Sequence, residues 1–321
     1  MTAHDDDETF RSSVPEFDAP AALGRFRERA QRERLVPRVS WRGALAARLS
    51  LGGGAFLRPA IAAVGVLVLA FAATATGFAE TLLTVFEPRQ IATVQVDPRQ
   101  LGDMPDPSAY GTLTWIAKPA SQDAADASAA AAAAGFAPLV PSALPAGIPA
   151  QARFSVMPEG KATFQFDEAK ARAAAARVNA TMPPMPAAIA TTTLTMTGGP
   201  AVMQQYGGTG LIVVQAKAPL VTSNGASVQE LQDYALAQPG IPPSVAAQIR
   251  AIGDPVRTML IPVGVDPSDA RAVTVRGTQG YVFGDNTGLG SGIVWLERGY
   301  VVGVLGSLKE ADLIALANGL R

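Results

Sequence analysis

The sequence predicts an α+β fold: antiparallel sheet with packed helices, held outside a membrane by one transmembrane helix. Three observations carry that expectation. Residues 60–79 form an uncharged apolar run of membrane-spanning length. Beyond it, short β-branched runs alternate with turns rich in glycine and proline. A few amphipathic helical stretches lie between and after those runs.

The run AIAAVGVLVLAFAATATGFA, residues 60–79, has no charge to oppose insertion, and its Ile, Val, Leu and Phe side chains favour lipid. We place the transmembrane helix at 59–80. A secretory leader would put its apolar stretch within roughly the first 30 residues, and this one starts far later. Arg42, Arg48 and Arg58 precede the run, while Glu80 and Glu87 follow it. The excess of positive charge on the N-terminal side predicts a plasma-membrane protein with a cytoplasmic N terminus and an extracytoplasmic C-terminal part.

Residues 1–58 read as a cytoplasmic tail, largely disordered. Its first 24 residues hold six acids and one arginine, whereas residues 25–58 hold nine arginines against Glu28 and Glu33. Within it, 21–35 is a candidate short basic helix. Leu23, Phe26 and Ala30 line one narrow stripe beside Arg27 and Arg34, which would contact a cytoplasmic partner; a basic collar that only sets topology is the other reading.

Residues 81–137 are expected to be membrane-proximal strands followed by an alanine-rich helix or linker, with strands at 91–96 and 111–117. Residues 138–321 are expected to be the extracytoplasmic α+β domain, opened by the extended, proline-interrupted connection 138–149. Strands are predicted at 152–157 and 161–166, joined as a hairpin through Pro158-Glu159-Gly160. Further strands are predicted at 190–197, 201–206, 210–217, 256–261, 272–276, 280–283, 293–297 and 300–305. Arg298-Gly299 reads as a two-residue hairpin turn. Helices are expected at 167–179, 227–238 and 243–252, with a last one entered through a Ser307/Glu310 capping box.

The composition excludes much chemistry. There is no cysteine and only one histidine, His4, so thiolate metal sites, cysteine nucleophiles and His-based dyads are not expected. The glycines of Gly288-Leu289-Gly290-Ser291-Gly292 match neither a Walker loop nor a dinucleotide fingerprint, and Ser291 lacks the glycine pattern of a nucleophile elbow. With a net charge of −1, no direct nucleic-acid binding is expected. We therefore expect no catalytic residues, no cofactor and no metal. The aromatic residues Trp115, Tyr281, Trp295 and Tyr300 are either strand core or the wall of an apolar ligand groove.

Two stretches of the C-terminal part add a resemblance. Gly292-Ile-Val-Trp295-Leu-Glu-Arg-Gly299-Tyr300-Val-Val-Gly303, then Gly306 to Glu310 and Leu313 to Leu320, resemble a DUF4367-type ectodomain. Gly135-Phe136 and Pro141 to Gly147 look like its opening. The resemblance implies an anti-sigma-factor-like envelope protein, with partners that include the bilayer, a cytoplasmic regulatory protein such as a sigma factor, and an envelope protein or small ligand. Many anti-sigma factors carry a His/Cys zinc module, and this tail has no cysteine. The two functions to weigh are a non-enzymatic sensor or regulator and a tethered lipid- or peptide-binding module without cytoplasmic signalling.

Overall fold

The computed structural model describes residues 82–97, 107–177, 179–207, 210–239, 241–264, 270–284 and 290–321. The predicted tail, with Leu23, Phe26, Arg27, Ala30 and Arg34, and the predicted membrane helix at 59–80 lie outside these. Among the described residues no helix is long and apolar enough to cross a membrane.

The core of the architecture is four long strands, residues 111–124, 152–166, 193–206 and 211–223, each interrupted once. They give eight elements: β3 (Gly111–Ala117) and β4 (Gln122–Ala124), β5 (Ala152–Met157) and β6 (Gly160–Phe166), β7 (Thr193–Gly198) and β8 (Ala201–Tyr206), β9 (Leu211–Lys217) and β10 (Leu220–Ser223). Each interruption holds a proline: Pro119, Pro158, Pro200 and Pro219. Proline has no N–H to give a ladder, so it ends pairing in the middle of a sheet. With the prolines side by side, one broad antiparallel sheet becomes two. The lateral order β10-β7-β6-β3 in one is repeated as β9-β8-β5-β4 in the other.

β1 (Leu83–Phe86) completes the first, five-stranded sheet beside β10. The second grows to eight strands by a meander of β12 (Ala270–Val275), β13 (Thr278–Gly284), β14 (Ser291–Glu297) and β15 (Tyr300–Gly306), the last pairing with β9. All these pairs are antiparallel. The exception is a small separate sheet, in which β2 (Gln90–Gln95) runs parallel to β11 (Thr258–Val263).

Pairing corrects several expectations. β5 and β6 do not form a hairpin through Pro158: β5 pairs with β4 and β8, and β6 with β3 and β7. The strands of 81–137 are built into the rest of the fold: β1, β3 and β4 are edges of the two main sheets. The last helix does not start at a Ser307/Glu310 box. Leu308 is buried and its carbonyl accepts a bond from Ser291 Oγ at 2.7 Å, which ties the segment to the sheet end. The helix begins at Glu310, with Lys309 as an N-cap that makes no side-chain bond. A capping box is present at Ser227 and Glu230.

Helices pack on one face of each sheet. On the five-stranded sheet, Phe164, Leu194 and Val221 meet α3 (Ala187–Ala190), α4 (Val228–Leu236) and α5 (Pro243–Arg250) through Ile189, Leu231 and Ile249. α2 (Glu168–Arg177) follows β6, its entry capped by Asp167 Oδ1 accepting from Lys170 N at 3.0 Å. On the eight-stranded sheet, Ile293, Trp295, Val302, Val304 and Val213 pack against Leu313, Leu316 and Ala317 of α6 (Glu310–Asn318). The alanine-rich stretch forms α1 (Ala127–Ala134). Ala130 and Ala134 rest on Val156 and Val202, and the small side chains permit that close approach.

The extended connection 138–149 is strapped down between α1 and α6. Leu139 N donates to Gln215 Oε1 at 2.8 Å, and Leu139 O accepts from Gln204 Nε2 at 2.7 Å. Val140 and Arg321 exchange two main-chain bonds. Gln204 is wholly buried, and its Oε1 accepts from Tyr206 Oη at 3.0 Å. Gln204→Leu leaves the Leu139 carbonyl and the Tyr206 hydroxyl unpaired. It should lower stability by about 2 kcal/mol, read as a shift of the urea-unfolding midpoint.

The two-residue turn at Arg298-Gly299 is present, with φ of 51° and 81°, and Arg276-Gly277 repeats it between β12 and β13 at 50° and 81°. These left-handed pairs match the twist of the flanking strands. A Cβ on Gly299 would meet nothing within 4 Å. Gly299→Ala therefore tests the backbone alone, and should cost about 1 kcal/mol in the same measurement.

Candidate functional site

The four aromatics expected to wall one groove are not gathered into one. Trp115 lies on β3, the edge of the five-stranded sheet, and is 38% exposed. Trp295 is fully buried in the core under α6, and its Nε1 donates to Glu297 Oε2 at 3.2 Å. Tyr300 shares that helix-covered face and packs on Phe136, ring centroids 4.9 Å apart. Tyr281 stands on the opposite face, where its hydroxyl accepts from Gln279 Nε2 at 3.0 Å.

Beside Trp295 is the one strongly built charge pair of this region. Arg276 Nε donates to Glu297 Oε2 at 2.8 Å, and Arg276 Nη1 reaches the carbonyl of Leu320. Burial pushes the Glu297 carboxyl up, but bonds from Arg276 and Trp295 and the charges of Arg276 and Arg298 outweigh it. Its pKa is therefore held below the ordinary value. A carboxyl depressed in the folded state stabilises above its unfolded pKa of about 4.3 and loses that stability as pH falls through the lower folded value. Relative to Glu297→Gln, the native chain should lose stability between about pH 4.3 and more acid conditions, as followed by thermal unfolding against pH. The pair closes a turn and a helix end, and its role is structural.

The face of the eight-stranded sheet away from α6 is different. One lateral row across it reads Ala272, Tyr281, Val294, Gly303, Val214, Met203 and Ser155. A second reads Phe283, Gly292, Leu305, Ile212, Gln205 and Arg153. Val294, Val214, Met203, Leu305, Ile212 and Val301 are each half-buried, and none belongs to any of the three hydrophobic clusters. Among the described residues no helix packs on this apolar surface; β2 lies against β13 and β14, and Leu296, on the same face as Val294, is buried, so the open part runs from β15 towards β5.

Gly303 shapes it. The residue sits mid-strand, where glycine often marks a close approach, and its backbone is not in the left-handed region. A Cβ there would meet nothing nearer than the Ile293 carbonyl at 3.8 Å. The missing side chain leaves a notch, with Val294 and Val214 on the flanking strands and Val301 and Leu305 along β15. Three strands from Leu305, about 14 Å away at the usual strand spacing, Arg153 stands opposite Gln205. These two line a recess of about 360 Å³ with Pro149 and Gln151. Arg153 is exposed, and among the described residues no ion pair holds it.

Sequence reasoning missed this site. A period-2 apolar pattern on both faces of 211–217 and 300–306, with one glycine at 303, was the available signal. No family model, curated protein or solved structure matches this chain.

Proposed function

We propose that this is a membrane-anchored, non-enzymatic protein whose extracytoplasmic part binds an anionic amphiphile. The acyl chain lies in the trough over Gly303, and the headgroup sits at Arg153. The observation that carries the reading is an apolar lane on which, among the described residues, no helix packs, ending at Arg153, which no described ion pair holds. An acyl chain suits a sheet face better than a peptide does. The ladder already uses the sheet's main-chain groups, so a peptide laid there would leave its own amides unpaired. The apolar run at 60–79 supports a tether that holds this face near lipid. The resemblance to DUF4367-type ectodomains and the Leu23/Phe26/Ala30 stripe extend the reading to an envelope sensor. It would pass occupancy to a cytoplasmic partner such as a sigma factor.

The test is photolabelling of the full-length chain in lipid nanodiscs with a diazirine palmitate, followed by peptide mapping. Label should concentrate in residues 211–217 and 300–306. Gly303→Leu, which fills the notch without backbone strain, should suppress it. Arg153→Ala should weaken competition by palmitate about tenfold but leave that by hexadecanol unchanged, one charge-assisted contact being worth roughly 1.5 kcal/mol. Uniform labelling that is indifferent to Gly303→Leu would remove the proposal.

A further inference from the structure

The open edge of the five-stranded sheet carries a second property, independent of the ligand reading. β3, Gly111-Thr-Leu-Thr-Trp-Ile-Ala117, is an edge strand with no charged residue and no proline. Leu113, Trp115 and Ile116 are 44%, 38% and 61% exposed, and they are three of the five exposed large apolar side chains among the described residues. Natural edges are usually kept short or guarded by charge. Two other edges of the main sheets follow that rule: β12 carries Arg271, and β4 has only three residues, one of them Asp123. β3 does not.

The direction of its free main-chain groups follows from the ladder. Asp167 N donates to Tyr110 O at 2.9 Å, so Tyr110 and Asp167 are a hydrogen-bonded pair. Bonded and non-bonded pairs alternate in an antiparallel ladder. Thr112 and Thr114 therefore turn their amides toward β6, while Gly111, Leu113 and Trp115 turn theirs to the open side. Gly111 confirms this alternation, since its carbonyl accepts from Lys170 Nζ at 3.1 Å. Among the described residues no main-chain bond reaches the outward N–H and C=O groups of Leu113 and Trp115. Beyond Trp115 a bulge breaks the register with β6.

We propose that β3 pairs antiparallel with β3 of a second copy of this chain, about a twofold axis at Thr114. The strand is self-complementary in that register. Leu113 of each copy faces Trp115 of the other, making two hydrogen-bonded pairs with four main-chain bonds between them and two aliphatic–aromatic contacts on one face. Gly111, whose carbonyl already accepts from Lys170 Nζ, is not needed. On the other face Thr114 meets its own equivalent. There it continues a row already spanning the sheet, Thr84, Thr222, Thr195, Thr163 and Thr114 on five adjacent strands. The bulge at Ile116 keeps the contact short, so the dimer is a reversible one.

The cysteine-free sequence makes the test direct. Opposed residues of a non-bonded antiparallel pair lie about 4.5 Å apart at Cα, within disulfide reach. The full-length chain carrying Thr114→Cys is oxidised in membranes and run on a non-reducing gel beside Thr84→Cys, an exposed position at the opposite edge of the same sheet. Thr114→Cys should convert most of the chain to dimer and Thr84→Cys little. Adding Leu113→Lys to Thr114→Cys should abolish the dimer. Equal cross-linking at the two positions, none at Thr114, or insensitivity to Leu113→Lys would each overturn the proposal.

Discussion

Pro119, Pro158, Pro200 and Pro219 lack the N–H that a continuous ladder needs, and they stand side by side where four long strands would otherwise run straight through. The contacts along this line are close. A Cβ on Gly160 would strike the Pro119 ring at 2.8 Å, and Lys217 N bonds to the Pro200 carbonyl at 2.9 Å. The arrangement also protects register. A slip by one residue in any of the four strands would carry its proline into a neighbour's ladder and move every side chain to the wrong face.

Splitting the sheet divides the burden of burial. One half is covered by α3, α4 and α5, the other by α1, the 138–149 strap and α6. The helices cover one face of each sheet, and the opposite faces differ in character. The five-stranded sheet presents threonines and glutamine, whose side chains bond each other, as Gln165 Nε2 does to Thr193 Oγ1 at 3.0 Å. The eight-stranded sheet presents valine, leucine, isoleucine and methionine. Part of that apolar face has a packing role, since β2 lies against β13 and β14 and Leu296 is buried there; the stretch from β15 to β5 is the part that suits a ligand.

Local chemistry was legible in the sequence, and partnership was not. The bounds expected for β3, β5 and β8 match those observed, because alternation and flanking glycine or proline are local signals. The left-handed turn at Arg298-Gly299 was readable for the same reason. Pro158-Glu159-Gly160 has the residues of a turn and joins strands in different sheets, because the same chemistry ends a hairpin or starts a bend. Ser307 fits a capping pattern, but Leu308 is held by the sheet, and tertiary packing overrode the local motif. The aromatic quartet failed as a wall because the face a strand residue occupies depends on its cross-strand partner. Trp295 and Tyr281 are separated by a sheet although both lie on the same meander.

The strap between residues 138–142 and the end of α6 sets an order of assembly. Leu139, Val140 and Ser142 find partners in β8, β9 and residues 319–321, which are drawn from the middle and the far end of the described chain. A polypeptide made and delivered from its N terminus would form the four bent strands early, yet hold one layer of the larger sheet wet until the final helix arrives. Chains cut short before residue 310 would thus expose Trp295 and its neighbours to solvent and to proteases, so incomplete molecules carry their own mark for removal.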